Sequence, residues 1–290
     1  MAALGVSPLQ HPNSGRIDRK YIYSPDMKDT ITVDIWLPDF YTNHTDCRLP
    51  VVYMHDGQNL FDAMTTWNGQ SWNVDSVAEE LISDNRMKPV IIVGIHSVAK
   101  SRKGDLMPEN IFDNPQLRQV ADNMLETPIR GNAYAKFVST TLRDSINASY
   151  RTLPDAENTA VMGSSMGGLM SLYILCEYPK VFSKAGCLST HWVGSVEDYA
   201  NGDERFPQAM YEYVKQNLPR DGKHKIYFDH GTATIDAYYD KWNNKVVDFC
   251  KEAGYTPDKL STFIDQGASH EENAWMKRVW RPLVFLFPAK

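Results

Sequence analysis

The residues Gly163-Ser164-Ser165-Met166-Gly167 form a G-x-S-x-G, the spacing that exposes a serine on a tight turn. A serine hydroxyl is a poor nucleophile at neutral pH, so it needs a base, and the base needs a carboxylate to hold it. The motif directly follows the apolar run Thr159 to Met162 and directly precedes a helix-like segment, Gly168 to Glu177. Strand, sharp turn and helix are the context a nucleophile elbow requires, and a Cβ at Gly163 or Gly167 would collide with neighbouring backbone. Ser165 then stands at the carboxyl end of a strand and at a helix N-terminus, where developing negative charge is favoured. Without that context the five residues would read as an ordinary Gly/Ser turn.

Chain order for such an elbow runs serine, acid, histidine. His191, His224, His230 and His270 follow Ser165. His224 opens a strand candidate and lies at the wrong end of the sheet, and His230 comes too early to leave room for an acid. His270 follows the last strand candidate across Gln266-Gly267-Ala268-Ser269, a loop able to reach back, and is the expected general base. Residues 270–274 open like a zinc-protease motif, but Ala274 stands where the second histidine ligand must be, so no metal is expected. The acid belongs after the strand candidate Lys225 to Phe228, where Asp229 and Asp236 are both placed for it. Asp236 could instead cap the helix that follows.

An oxyanion hole takes one amide from the residue after the nucleophile, here Met166, and one from the loop after an early strand. That loop, His55-Asp56-Gly57-Gln58-Asn59, follows Val51 to Met54, and Gly57 lets the backbone turn the Gln58 amide inward. An isolated Asp-Gly is as often a plain turn.

These groups need a scaffold. Ile31, Val33, Ile35 and Leu37 alternate with polar positions, as in a half-buried antiparallel strand near a sheet edge. The runs Val51 to Met54, Val90 to Val93 and Thr159 to Met162 are apolar throughout, as central parallel strands are. Helix-like segments alternate with them at about 72–82, 132–149, 168–177, 208–216, 236–252 and 271–280, with further strand candidates at 185–188, 225–228 and 261–264. The pattern predicts one α/β domain over residues 1–290, with a central, mostly parallel sheet and helices on both faces. Residues 97–130 are rich in Asn, Asp, Pro and Lys with little periodicity, and read as a lid or pocket insertion.

The chain has 290 residues, 36 acidic against 30 basic, and a net charge of −6. Mixed, mildly acidic charge carries no footprint for nucleic acid or an anionic membrane, so neither is an expected partner. The longest apolar runs fall far short of the roughly 20 residues that span a bilayer. Residues 1–20 lack a basic segment followed by an apolar one, which favours a cytoplasmic place, or a secreted or periplasmic one had a leader been removed. Four scattered cysteines read as buried free thiols.

The combination resembles the esterase D-like putative esterases, the α/β-hydrolase family of feruloyl and acetyl xylan esterases, siderophore esterases and the antigen 85 mycolyltransferases. The matching pieces are residues 52–59, Tyr150-Arg151-Thr152, the elbow 163–168, Gly231-Thr232 before Asp236, and His270 with Trp275 five residues on. The resemblance implies an α/β-hydrolase fold and a serine carboxylic ester hydrolase without cofactor or metal. By it Ser165 is the nucleophile, His270 the base and Asp236 the acid ahead of Asp229, with Gln58 and Met166 in the oxyanion hole. It also implies a small-molecule or carbohydrate ester as substrate, acetyl or feruloyl, with Asn59, Trp67, His191, Trp192 and Trp275 against it. Trp72 joins these aromatics, any of which could instead be core. A thioesterase or acyltransferase like S-formylglutathione hydrolase, and a non-catalytic carbohydrate-binding relative, are the rival readings.

Overall fold

The apolar runs become strands because each residue in them finds apolar neighbours on both sides. The computed structural model describes residues 7–8, 14–66, 68–113, 117–118, 125 and 127–289. In it β4 (Val51–His55), β5 (Ile91–Ile95) and β6 (Thr159–Ser164) are buried at every position. Successive side chains of a strand point to opposite faces. Val51 and Tyr53 therefore enter one core with Ile91 and Val93, while Val52 and Met54 enter a second with Ile92 and Met162.

Nine strands among the described residues form one sheet, in the order β1-β2-β3-β5-β4-β6-β7-β8-β9. The strands β1 (Ser7–Pro8), β2 (Arg16–Ser24) and β3 (Asp29–Leu37) are antiparallel, and β3 joins β5 antiparallel. From β5 onward β4, β6, β7 (Lys184–Leu188), β8 (Lys225–Gly231) and β9 (Leu260–Asp265) run parallel. This is the expected mostly parallel α/β sheet. Two details differ. The sequence pattern predicts no strand at β2, because its charged residues mask the alternation, yet all nine residues pair in register with β3, Arg16 opposite Leu37 through Ser24 opposite Asp29. β3 is consequently not half-buried: its Asp34 lies inside, held by both nitrogens of Arg19 at 2.7 Å and by His96 Nε2 at 2.8 Å.

Helices α1 (Val74–Ser83), α2 (Gly131–Phe137), α3 (Arg143–Ser149), α4 (Met166–Glu177), α5 (Arg205–Asn217), α6 (Asp240–Glu252), α7 (Glu272–Arg278) and α8 (Trp280–Leu286) cover the two faces. A π-helical stretch, Val138–Leu142, joins α2 to α3, so the helix expected over 132–149 is continuous. Every residue of α4 except Glu177 is buried, as suits a helix enclosed between sheet and neighbours.

The 97–130 segment is less independent than its composition suggests. Its first part forms helical turns at Arg102–Asp105 and Glu109–Asp113, and Leu106, Met107, Ile111 and Phe112 insert into the first core. Arg130 closes on Asp105 with two bonds of 2.7 and 3.0 Å. Residues 114–116, 119–124 and 126 lie outside the described residues. Cys176, Cys187 and Cys250 are buried and Cys47 is half-buried. No helix among the described residues is long and apolar enough to cross a membrane.

Candidate active site

The elbow forms where β6 runs into α4. Ser165 takes φ 56° and ψ −123°, a conformation costly for a non-glycine residue and held here by its surroundings. Its N–H donates to the Leu188 carbonyl at 2.9 Å, and its carbonyl accepts the His191 N–H at 3.1 Å, which ties the turn to the end of β7. Gly163 must lack a side chain, since a Cβ there would sit 2.9 Å from the Gly167 carbonyl carbon. Met166 is the first residue of α4, so its N–H is among those a helix leaves without an internal partner.

Two loops deliver the other groups. After β8, a one-turn helix, Thr234–Tyr238, carries Asp236 at full burial. After β9, the 266–271 loop folds back. The Thr232 and Ala233 amides donate to the Ala268 carbonyl at 3.2 and 3.0 Å, and the His270 amide donates to Thr234 Oγ1 at 2.9 Å. The two loops are thereby zipped together, and His270 Nδ1 lies 2.6 Å from Asp236 Oδ1. Asp236 Oδ2 accepts the Gly231 N–H and the Ser189 hydroxyl, each at 2.6 Å. Burial pushes this carboxyl up, but His270, Ser189 and Gly231 outweigh it and hold Asp236 below the usual carboxylate range. Asp236 does not cap the following helix, which begins at Asp240.

Asp229, the other candidate acid, is turned to different partners. Its Oδ1 lies 3.1 Å from Arg278 Nε and accepts the Ser189 N–H at 3.2 Å, and its Oδ2 accepts the Tyr227 hydroxyl at 3.1 Å. Burial pushes its pKa up, opposed by Arg278. The structure thus brings Asp236, not Asp229, to His270.

The loop after β4 is pinned at several points. Asp56 is left-handed at φ 57°, and Arg102 grips its carboxylate with bonds of 2.6 and 2.7 Å. Burial raises Asp56, but the Arg102 charge and its hydrogen bonds prevail and hold it low. Gly57 lies so close to β5 that a Cβ would fall 2.4 Å from the Gly94 carbonyl carbon. The Gln58 carboxamide brackets Ser97, donating to its Oγ at 2.8 Å and accepting its N–H at 3.0 Å.

Ser165 and His270 line one cavity of about 600 Å³ together with Gln58, Asn59, Trp72 and Trp275. His270 lies edge-on between Trp275, 5.0 Å away at 82°, and Tyr239, 5.8 Å away at 72°. Asn59 faces the cavity but its Nδ2 is given to Glu272 Oε1 at 3.2 Å. Trp67 lies outside the described residues. His191 and Trp192 are not in this cavity. His191 is held between the Tyr239 hydroxyl at 2.7 Å and the Gly194 carbonyl at 2.6 Å, and burial pushes its pKa down to about 4. Trp192 is 1% exposed and packs in the core against Phe228. The resemblance implies that both face the substrate, and the chain turns them inward instead. Sequence reasoning also missed Arg102, Ser97, Glu272, Ser189 and Arg278, which carry no local signature and act only through distant partners.

The family model described as "Putative esterase" matches residues 24–282. The chain belongs to that esterase family. It is a serine carboxylic ester hydrolase of α/β-hydrolase fold. This esterase is 22% identical to the Bacillus subtilis protein YbbA over 263 residues, 87% of this chain and 91% of that one. It is 23% identical to an endo-1,4-beta-xylanase/feruloyl esterase of Xylanibacter ruminicola over 269 residues, covering 91% of this chain and 30% of the relative. A solved ferulic acid esterase superposes with TM-score 0.65 at 16% identity, over 93% of this chain and 97% of that one.

Proposed function

We propose that this esterase cleaves carbohydrate-linked acetyl or feruloyl esters through an acyl-enzyme formed on Ser165. The observation that carries the reading is the 2.6 Å contact of Asp236 with His270 beside a cavity that His270 shares with Ser165. Asp236 holds the His270 proton on Nδ1 and leaves Nε2 to act as base. His270 takes the Ser165 proton as Oγ attacks the ester carbonyl. The oxyanion is received by the Met166 and Gln58 amides, a donor pair of which each member is worth about 100- to 1000-fold in rate. His270 then gives its proton to the departing alcohol, water adds to the acyl-enzyme by the reverse route, and the acid is released.

Trp72 and Trp275, both buried with ring centroids 5.6 Å apart, form an apolar part of the cavity wall, against which a phenolic acyl group or a sugar would lie. The likeness to feruloyl esterases supports the same class. The test is initial rates on methyl ferulate, acetylated xylan, p-nitrophenyl acetate and a glutathione thioester, with and without an added alcohol. Ferulate or xylan ester cleavage with water as acceptor is expected. A preference for the thioester, or acyl transfer to the alcohol, overturns the substrate assignment. Ser165→Ala should lose turnover and fluorophosphonate labelling while melting normally, and retained turnover would remove the nucleophile.

A further inference from the structure

Ser189, the residue after β7, is fully buried and has φ at +40°, a left-handed value that costs a serine free energy. Its hydroxyl oxygen has three partners: Trp275 Nε1 at 3.0 Å, Arg278 Nη2 at 2.7 Å and Asp236 Oδ2 at 2.6 Å. An indole N–H and a guanidinium can only donate. Both lone pairs of the hydroxyl are therefore filled, and its one proton has a single destination, the carboxylate of Asp236. With the Gly231 amide also on Oδ2, the other oxygen is left for His270.

Behind this hub Arg278 is held by Asp229 at 3.1 Å and Asp265 at 3.5 Å, with Nη2 3.9 Å from Asp236. The Ser189 amide returns to the Asp229 carbonyl at 2.7 Å and its Oδ1 at 3.2 Å. We propose that Ser189 is a positioning residue of the catalytic apparatus, passing the order of the buried Arg278–Asp229 pair and of the Trp275 wall to Asp236, and through it to His270. The proposal rests on the reading of Ser165, His270 and Asp236 as the triad.

Ser189→Ala removes the hydroxyl donor to Asp236 and the acceptor of Trp275 Nε1 and Arg278 Nη2, while the titratable and charged groups around the pair, Arg278, Asp229, His191 and Tyr239, remain the same in kind. A carboxylate with one donor fewer attracts the imidazolium more strongly, so the neutral base appears only at higher pH. Expected are a kcat about 10- to 100-fold lower, KM within about twofold, and an acid limb of kcat/KM moved upward in pH. A kcat that is unchanged, or one that falls with the acid limb unmoved, overturns the proposal. If Ser189→Ala does not fold, Ser189→Cys keeps a side chain of similar size with a weaker donor and should move the limb the same way by less. An unmoved limb in that variant overturns the proposal equally. Ser165→Ala measured alongside separates the failures: if it stays active the triad reading falls, and if it is dead while Ser189→Ala is normal only this inference does.

Discussion

Replacing Asp236 with Asn keeps the shape of the side chain and exchanges one acceptor oxygen for a donor. Every recorded partner of this carboxylate can serve as a donor: the Gly231 amide and Ser189 hydroxyl on Oδ2, and His270 Nδ1–H on Oδ1. An asparagine satisfies the Oδ2 side with its carbonyl only by turning its amide toward His270. That orientation drives the histidine proton to Nε2, the nitrogen that must accept from Ser165. The opposite orientation sets the amide against two donors. We expect kcat to fall about 10,000-fold, as loss of the orienting carboxylate does in serine triads. At 1.36 kcal/mol per decade this is about 5.4 kcal/mol of transition-state stabilisation. Asp229→Asn is the control. It removes one charge partner of an Arg278 that is 1% exposed and still bonded to Ser189 and Asp265, so it costs less stability than the roughly 3–5 kcal/mol of a wholly unpaired buried charge, and it reaches the Asp236–His270 contact only indirectly, through Ser189. Initial rates on p-nitrophenyl acetate, normalised to folded protein from melting curves, separate the two effects. Near-normal turnover in Asp236→Asn, or an equal per-molecule loss in Asp229→Asn, would refute the reasoning.

Gly57→Ala should reduce kcat by about 100- to 1000-fold with a lower melting temperature, because its Cβ would meet the Gly94–Ile95 backbone at 2.4–2.7 Å and displace the Gln58 amide. Steady-state kinetics beside a melting curve check this, and an unchanged kcat sinks it. Burial pushes His55 down from 6.5 to about 4, so the native state refuses a proton that the unfolded chain accepts in that interval. Its contribution to stability is whole above pH 6.5 and is lost as pH falls toward 4, about 3 kcal/mol over the 2.5 units. Denaturant unfolding across that range measures the slope, which His55→Asn should flatten.

The elbow and the histidine are legible in the sequence because their constraints are local. Gly163 and Gly167 bracket a turn between an apolar strand and a helix, and the 266–269 loop is the one link between a last strand and His270. The choice between Asp229 and Asp236 is not local. Both follow β8, and the decision falls to the two hydrogen bonds into the Ala268 carbonyl that bring the 232–236 and 268–270 loops together. Trp192 turns into the core against Phe228 for a related reason: position along the chain does not say which way a side chain points once the chain leaves the strand. β2 is not legible in the sequence because a strand whose outer residues are charged shows little alternation, although its backbone pairs fully with β3.

What the sequence determined by itself is therefore the set of secondary elements whose apolar period is strong and the reactive side chains that stand at their ends. Tertiary structure alone decided which donor meets which acceptor. Arg102 reaches Asp56 across 46 positions, Trp275 reaches Ser189 across 86, and Arg278 reaches Ser189 across 89. Hydrophobic periodicity is written in neighbours along the chain, whereas a buried polar network is satisfied by partners that only packing brings within 3 Å, so it leaves no pattern to read until the chain is folded.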